Sequence, residues 1–246
     1  MNISAMKHLR GRPARGQGGF TMVELAIVLV IAGIILVGAL KGTDMINKAK
    51  IERTVSDIRG IQSMIFEHEK RTGRLAGDCN SDGIIGVTPA TLQVTRLAGA
   101  VWDDNIDPTA GTGPACLTTT SIETDPNVVW KDLRKANIVD PSRLNRLITK
   151  NQTNNYYAVG NWPIGTNSVP ANVIVIYDVP LWMAKGIDVA IDGASPGANG
   201  GAVGRVRLLH DGATATPNGA VWPTGTTDAN DDRVVAIYFQ FDRLAP

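Results

Sequence analysis

The chain has 246 residues, with 24 basic and 23 acidic side chains for a net charge of +1, and two cysteines. That length leaves room for one ordinary globular domain plus a short extra segment, and the near-neutral total gives no sign of nucleic-acid binding. The three histidines, His8, His68 and His210, have no nucleophile or zinc-ligand spacing around them, so the chain is expected not to be an enzyme and the latter two are read as surface residues.

Taken in chain order, the first segment is basic. Lys7, Arg10, Arg12 and Arg15 precede Gly19 with no acidic residue among them. An apolar stretch from Phe20 to Leu40 follows, in which Glu24 is the only charge. About 20 apolar residues suffice to cross a bilayer, whereas the apolar part of a secretory signal is nearer 7 to 15. The basic flank predicts a cytoplasmic N-terminus and an exported remainder. A conventional signal cut near Val37-Gly38-Ala39 and a plain membrane anchor are the competing readings. The length of the run argues against the first, and Glu24 argues against both, because a carboxylate in lipid is costly and needs a partner or a purpose.

Gly19-Phe20-Thr21-Met22-Val23-Glu24 behind a basic leader resembles the type IV prepilin family. The resemblance implies that a prepilin peptidase/methyltransferase cuts after Gly19 on the cytoplasmic side and methylates the new Phe20 amine. It further implies insertion in inner-membrane lipid and assembly with other pilin or pseudopilin subunits. In such filaments Glu24 would pair with the N-terminal amine of a neighbouring subunit, and low dielectric strengthens that pairing. Gly33, Gly38 and Gly42 are candidates for close helix approach, although small residues are common in membrane helices anyway. Removing residues 1–19 leaves 227 residues with 20 basic against 23 acidic groups, net −3.

Beyond residue 40 the helix is expected to continue through 41–73. Ile51, Val55, Ile58, Ile61, Met64 and Ile65 recur at three- and four-residue steps, with Glu52, Arg53, Asp57, Arg59, Glu67 and Lys70 on the other faces. No proline interrupts Phe20 to Thr72, and Gly73 reads as the stop. Such a helix would be on the order of 80 Å long. Pilins often carry a proline where this chain has Lys41, so the reason for a break there is absent.

Residues 74–246 read as an extracytoplasmic head. Cys79 and Cys116 are expected to form a disulfide, since an isolated pair in an exported domain is seldom a metal site. Asp78, Asn80 and Asp82, with Gly83 and a carbonyl from Ile84, match the first half of a calcium loop, and Ile85 would pack inward. The second half is missing, because position 12 is Pro89, and further ligands would have to come from Asp103 or Asp104. The same residues also read as an Asx-rich turn pinned by the disulfide. A second acidic cluster, Asp228, Asn230, Asp231 and Asp232, reads as solvated loop charge rather than a calcium site.

Asp125-Pro126 predicts a helix start, with Asp125 as cap and Pro126 in the first position, followed by Val129, Leu133 and Ala136 as an apolar face. Lys131, Arg134, Lys135, Arg143, Arg146 and Lys150 form a locally basic stretch that reads as a solvated face rather than a DNA contact. Tyr156–Val159, Asn172–Tyr177, Val203–Leu209 and Arg233–Phe241 are predicted antiparallel strands. The intervening Asp192–Gly204 and Asp211–Asp232 read as surface loops. Lys41-Gly42, Ile51 through Arg59, Gly77-Asp78, Val129 through Ile138, and Ile191-Asp192-Gly193 leading to Val206-Arg207 are similar to a bacterial minor-pilin or pseudopilin-like group.

The expected fold is α+β and pilin-like: a long N-terminal helix, membrane-spanning and then amphipathic, packed on an antiparallel sheet with long loops. The expected function is a structural subunit, a minor pilin or pseudopilin, of a type IV pilus or type II secretion pseudopilus. A membrane-tethered, calcium-dependent binding or adhesion module is the alternative.

Overall fold

The computed structural model describes residues 19–89, 92, 116, 125–143, 148–153, 156–164, 169–193, 200–210, 215–223 and 233–241. Helix α1 spans Met22–Thr72. Gly73 ends it with φ +79°, its N–H donating to Glu69 O at 2.8 Å. A left-handed glycine at that position closes the last turn without a Cβ clash. The chain divides into two compact units, Met1–Met45 and Ile46–Pro246. In the first, the apolar side chains of α1 are uncovered along their length.

In the second unit, the rest of α1 buries one stripe. Val55, Ile58, Ile61 and Ile65 are in the core, with Ile51 and Met64 packed at its edge, while Glu52, Arg53, Arg59 and Lys70 face solvent. This is the stripe that the sequence spacing predicts. The sheet beside it has five strands: β1 (Tyr157–Ile164), β2 (Val169–Pro180), β3 (Val206–His210), β4 (Ala215–Ala220) and β5 (Val234–Gln240). They lie in the order β1-β2-β5-β3-β4, every neighbouring pair antiparallel. The α+β fold, a long helix packed on an antiparallel sheet, is the predicted one. α1 meets the sheet side at Phe66, edge-on to Phe241 at 6.0 Å, and at Asp57, which accepts bonds from the Tyr157 hydroxyl at 3.4 Å and Gln152 Nε2 at 3.0 Å.

Four predicted strands are present, three of them with shifted or longer bounds, but the fifth overturns a loop assignment. β4 lies inside Asp211–Asp232 and carries Pro217, Asn218 and Gly219, residues that ordinarily mark turns. Its position at the sheet edge explains the tolerance, since an edge strand needs only one side paired. A second element was also not anticipated. Helix α3 (Leu181–Asp192) follows β2 directly and buries Leu181, Met183, Ala184 and Ile187. Gly186 weakens its helical signal, yet a Cβ there would strike Ile51 Cδ1 of α1, so the glycine permits the two helices to approach. β2 contains a bulge between Ile176 and Val179, where Asp178 takes φ +51°.

The helix predicted from Asp125-Pro126 starts later. Helix α2 is Val128–Lys135, with Asn127 at the cap position and no side-chain capping bond. Asp125 instead folds the preceding turn, its Oδ1 accepting the Asn127 backbone N–H at 2.9 Å. Residues Val128 through Arg134 are all buried, so α2 runs inside the head rather than along its surface. Its end is closed by Asn137 at φ +54°, with Ile138 N–H donating to Leu133 O at 2.9 Å.

Candidate functional site: the processing and assembly segment

Gly19 and Phe20 are exposed and precede α1, Phe20 being 82% accessible. Thr21 is the residue before the first helical turn and Glu24 is the third residue within it. The two form a reciprocal pair. Glu24 Oε2 accepts the Thr21 backbone N–H at 2.9 Å and its hydroxyl at 3.0 Å, while Thr21 Oγ1 accepts the Glu24 backbone N–H at 3.2 Å. This is a capping box, in which each side chain satisfies an N–H that the helix start leaves open. Thr21 is therefore a site residue that sequence reasoning missed, although the Thr-x-x-Glu spacing was there to be read.

Downstream, α1 contains an 18-residue window of mean hydropathy 2.8, none of it covered. Length and composition make it a candidate membrane span. Pairing Glu24 with groups one turn away reduces the penalty of carrying a carboxylate into that segment, because a satisfied acceptor loses less on leaving water. Gly33, Gly38 and Gly42 have open space around them, so neighbouring helices could approach there.

The second group of predicted residues follows α1. Cys79 and Cys116 form a disulfide. Asp78 Oδ1 accepts Asp82 N–H at 3.2 Å and Oδ2 accepts Gly83 N–H at 2.9 Å; Asn80 Oδ1 accepts Asp82 N–H and Asp82 Oδ1 accepts Ile84 N–H. These oxygens close a nested Asx turn. Ile85 is fully buried, and its N–H donates to Asn172 Oδ1 at 2.8 Å, which ties the turn to β2. Among the described residues no group of three or more His, Cys, Asp or Glu converges as a metal site. Asp103, Asp104 and the 228–232 cluster lie outside the described residues.

Beneath the turn sits a buried ion pair. Asp132, 1% exposed on α2, accepts from Arg74 Nη1 at 2.6 Å and from the Gly77 backbone N–H at 2.9 Å. Arg74 Nη1 also lies within bonding distance of Leu75 O and Asp78 O, and 3.2 Å from Cys116 Sγ. One guanidinium thus joins the end of α1, the Asx turn, the disulfide and α2.

Two surface assignments are corrected. Lys131 and Arg134 are buried, with Lys131 Nζ 3.4 Å from Asp125 Oδ2 and Arg134 Nη2 donating to Arg143 O at 2.6 Å. The basic stretch is therefore not one solvated face; Lys135, Arg143 and Lys150 are exposed and Arg146 lies outside the described residues. His68 and His210 are also buried rather than on the surface. Nδ1 of His68 lies 3.0 Å from Arg74 O, and desolvation lowers its pKa below the ordinary imidazole value.

Residues 14–40 match the family described as the prokaryotic N-terminal methylation motif. No curated protein and no solved structure gives a significant match to the chain. The matched residues span the exposed Gly19-Phe20 junction, the Thr21–Glu24 box and the uncovered apolar helix, and this match supports a type IV prepilin-like or pseudopilin-like precursor.

Proposed function

We propose that the protein is a structural subunit, a minor pilin or pseudopilin, that enters the inner membrane with its N-terminus cytoplasmic and its head in the periplasm. A prepilin peptidase/methyltransferase removes residues 1–19 and methylates Phe20, and the mature chain joins other subunits in a type IV pilus or type II secretion pseudopilus. The methylation motif at residues 14–40 is the observation that carries this reading. The role is one of assembly, not of catalysis.

The geometry at the cut supplies a physical route. Cleavage creates an amine at Phe20, one residue from the Thr21 N–H that Glu24 already accepts. Among the described residues Glu24 Oε1 takes no hydrogen bond, which leaves the carboxylate one oxygen for a second partner. In low dielectric an amine of a neighbouring subunit would be held strongly there, and an unpaired carboxylate would be costly, so the pair fixes register between subunits. N-terminal sequencing of the mature protein should begin at Phe20, and a start near Leu40 or an intact leader would overturn the reading. Glu24→Ala should still insert and be cleaved but fail to assemble; filament yield equal to wild type would remove Glu24 from the mechanism.

A further inference from the structure

The last two turns of α3 carry two carboxyl groups that grip one part of the head from two sides. Asp192 Oδ2 accepts the backbone N–H groups of Arg205 at 2.9 Å and Val206 at 3.0 Å, which fastens the start of β3. Gly204 beside it takes φ +86°, and a Cβ there would strike the Asp192 carboxylate. One helical turn earlier, Asp188 Oδ2 accepts the indole N–H of Trp222 at 3.2 Å. The Trp222 backbone N–H donates in turn to Gly200 O at 2.8 Å, and Gly201 O accepts from Leu208 N–H at 2.9 Å. Both carboxyls therefore hold the 200–208 segment, one directly and one through Trp222.

Asp188 is 5% exposed, and among the described residues no cation is seen to act on it. α3 packs against β2, β3 and β5, and Ile51 of α1 approaches it at Gly186. Arg205 reaches Gln240 O and Phe241 O and stacks over Phe239, and Arg207 Nε donates to Gly204 O. The other titratable or charged groups on these elements include Asp178 in the β2 bulge, Arg233 before β5, His210 at the end of β3, Lys185 on α3 itself, and Lys50 and Glu52 flanking Ile51 on α1; among the described residues the charge that acts on Asp188 is Asp192. Like charges one turn apart on a helix repel, and more strongly when one is buried.

We propose that Asp188 and Asp192 form a proton-operated clasp on the 200–208 segment: with Asp188 protonated both grips hold, and with Asp188 ionised it repels the Asp192 carboxylate and the clasp slackens. The electrostatics agree in direction. Burial pushes Asp188 up to about 6, the Trp222 N–H opposes the rise, and the Asp192 charge and a hydrogen bond to its carboxylate add to it. A carboxyl whose pKa is higher in the closed state favours closure at low pH, and that preference is lost as pH rises from the ordinary carboxyl value through about 6.

Hydrogen exchange on the full-length protein in detergent tests this at pH 5 and pH 8, with intrinsic rates corrected for pH. Protection of the Arg205 and Val206 amides should fall about tenfold between the two, while amides of the β1–β2 ladder should not change in step. Asp188→Asn keeps an acceptor for Trp222 and removes the charge, so its protection at 205–206 should be high and equal at both pH values. Wild-type protection that does not vary with pH, or that falls equally across the ladder, overturns the clasp. So does an Asp188→Asn protein that retains the wild-type dependence.

Discussion

Removal of the Asp132 carboxylate should destabilise the head more than any exposed charge change, and the structure indicates by how much. Asp132 is 1% exposed, and its Oδ2 receives both the Arg74 guanidinium at 2.6 Å and the Gly77 N–H at 2.9 Å. Breaking a buried pair from one side costs roughly 3 to 5 kcal/mol, because the remaining charge stays desolvated. Arg74 is 21% exposed and keeps Leu75 O and Asp78 O as acceptors, so the lower end applies. Asp132→Ala should therefore lose about 3 kcal/mol. Asp132→Asn retains an acceptor for Gly77 and should lose less, about 1.5 to 2 kcal/mol, the scale of one charge-assisted bond. Urea unfolding of the full-length protein in detergent, followed by tryptophan fluorescence, reads the difference: a 3 kcal/mol loss lowers the midpoint by about 1 M or more. The double change Arg74→Met with Asp132→Leu should cost less than Asp132→Ala alone, since it strands no charge. If Ala and Asn are alike and both cost under about 1 kcal/mol, the pair is not the joint described above.

Two further outcomes follow from the same region. Reduction of Cys79–Cys116, which closes a loop of 37 residues, should cost about 4 kcal/mol on the chain-entropy account; an unchanged urea midpoint under reductant would show that the unfolded state gains nothing from the cross-link. His68 is held neutral by burial, so its folded pKa lies below the unfolded value near 6.5. Its contribution is fully present above that value and is lost as pH falls below it, because the unfolded chain then binds the extra proton. His68→Gln should flatten the stability profile between pH 7 and pH 5. An NMR titration with the His68 midpoint at or above 6.5 would contradict the assignment.

Much of the N-terminal segment was legible because its chemistry is local. One carboxylate in an apolar run, a basic flank and a Gly-Phe junction lie close together in the chain, whereas the Thr21–Glu24 box, although only three residues apart, went unread. The stripe Val55, Ile58, Ile61 and Ile65 was legible for the same reason, since helical periodicity needs no knowledge of what covers it. The strands were legible in kind but not in extent, because their ends are set by partners rather than by their own residues.

Sequence alone was thus enough for the apolar span that carries the methylation motif, the amphipathic continuation and the class of the head. Tertiary structure decided which polar residues lie inside it. Lys131, Asp132, Arg134 and His68 look like surface residues from their neighbours in sequence, and their burial depends on the rest of the fold, as with Arg74 and Asp132, 58 positions apart. It also decided that Ala215–Ala220 is a strand, because edge pairing with β3 overrides its turn-forming residues, and that Gly186 belongs in a helix, because Ile51 leaves no room for a side chain. Local propensity differs among conformations by about a kilocalorie per mole or less per residue, whereas burying or pairing a group can be worth several, so where the two conflict the contacts prevail.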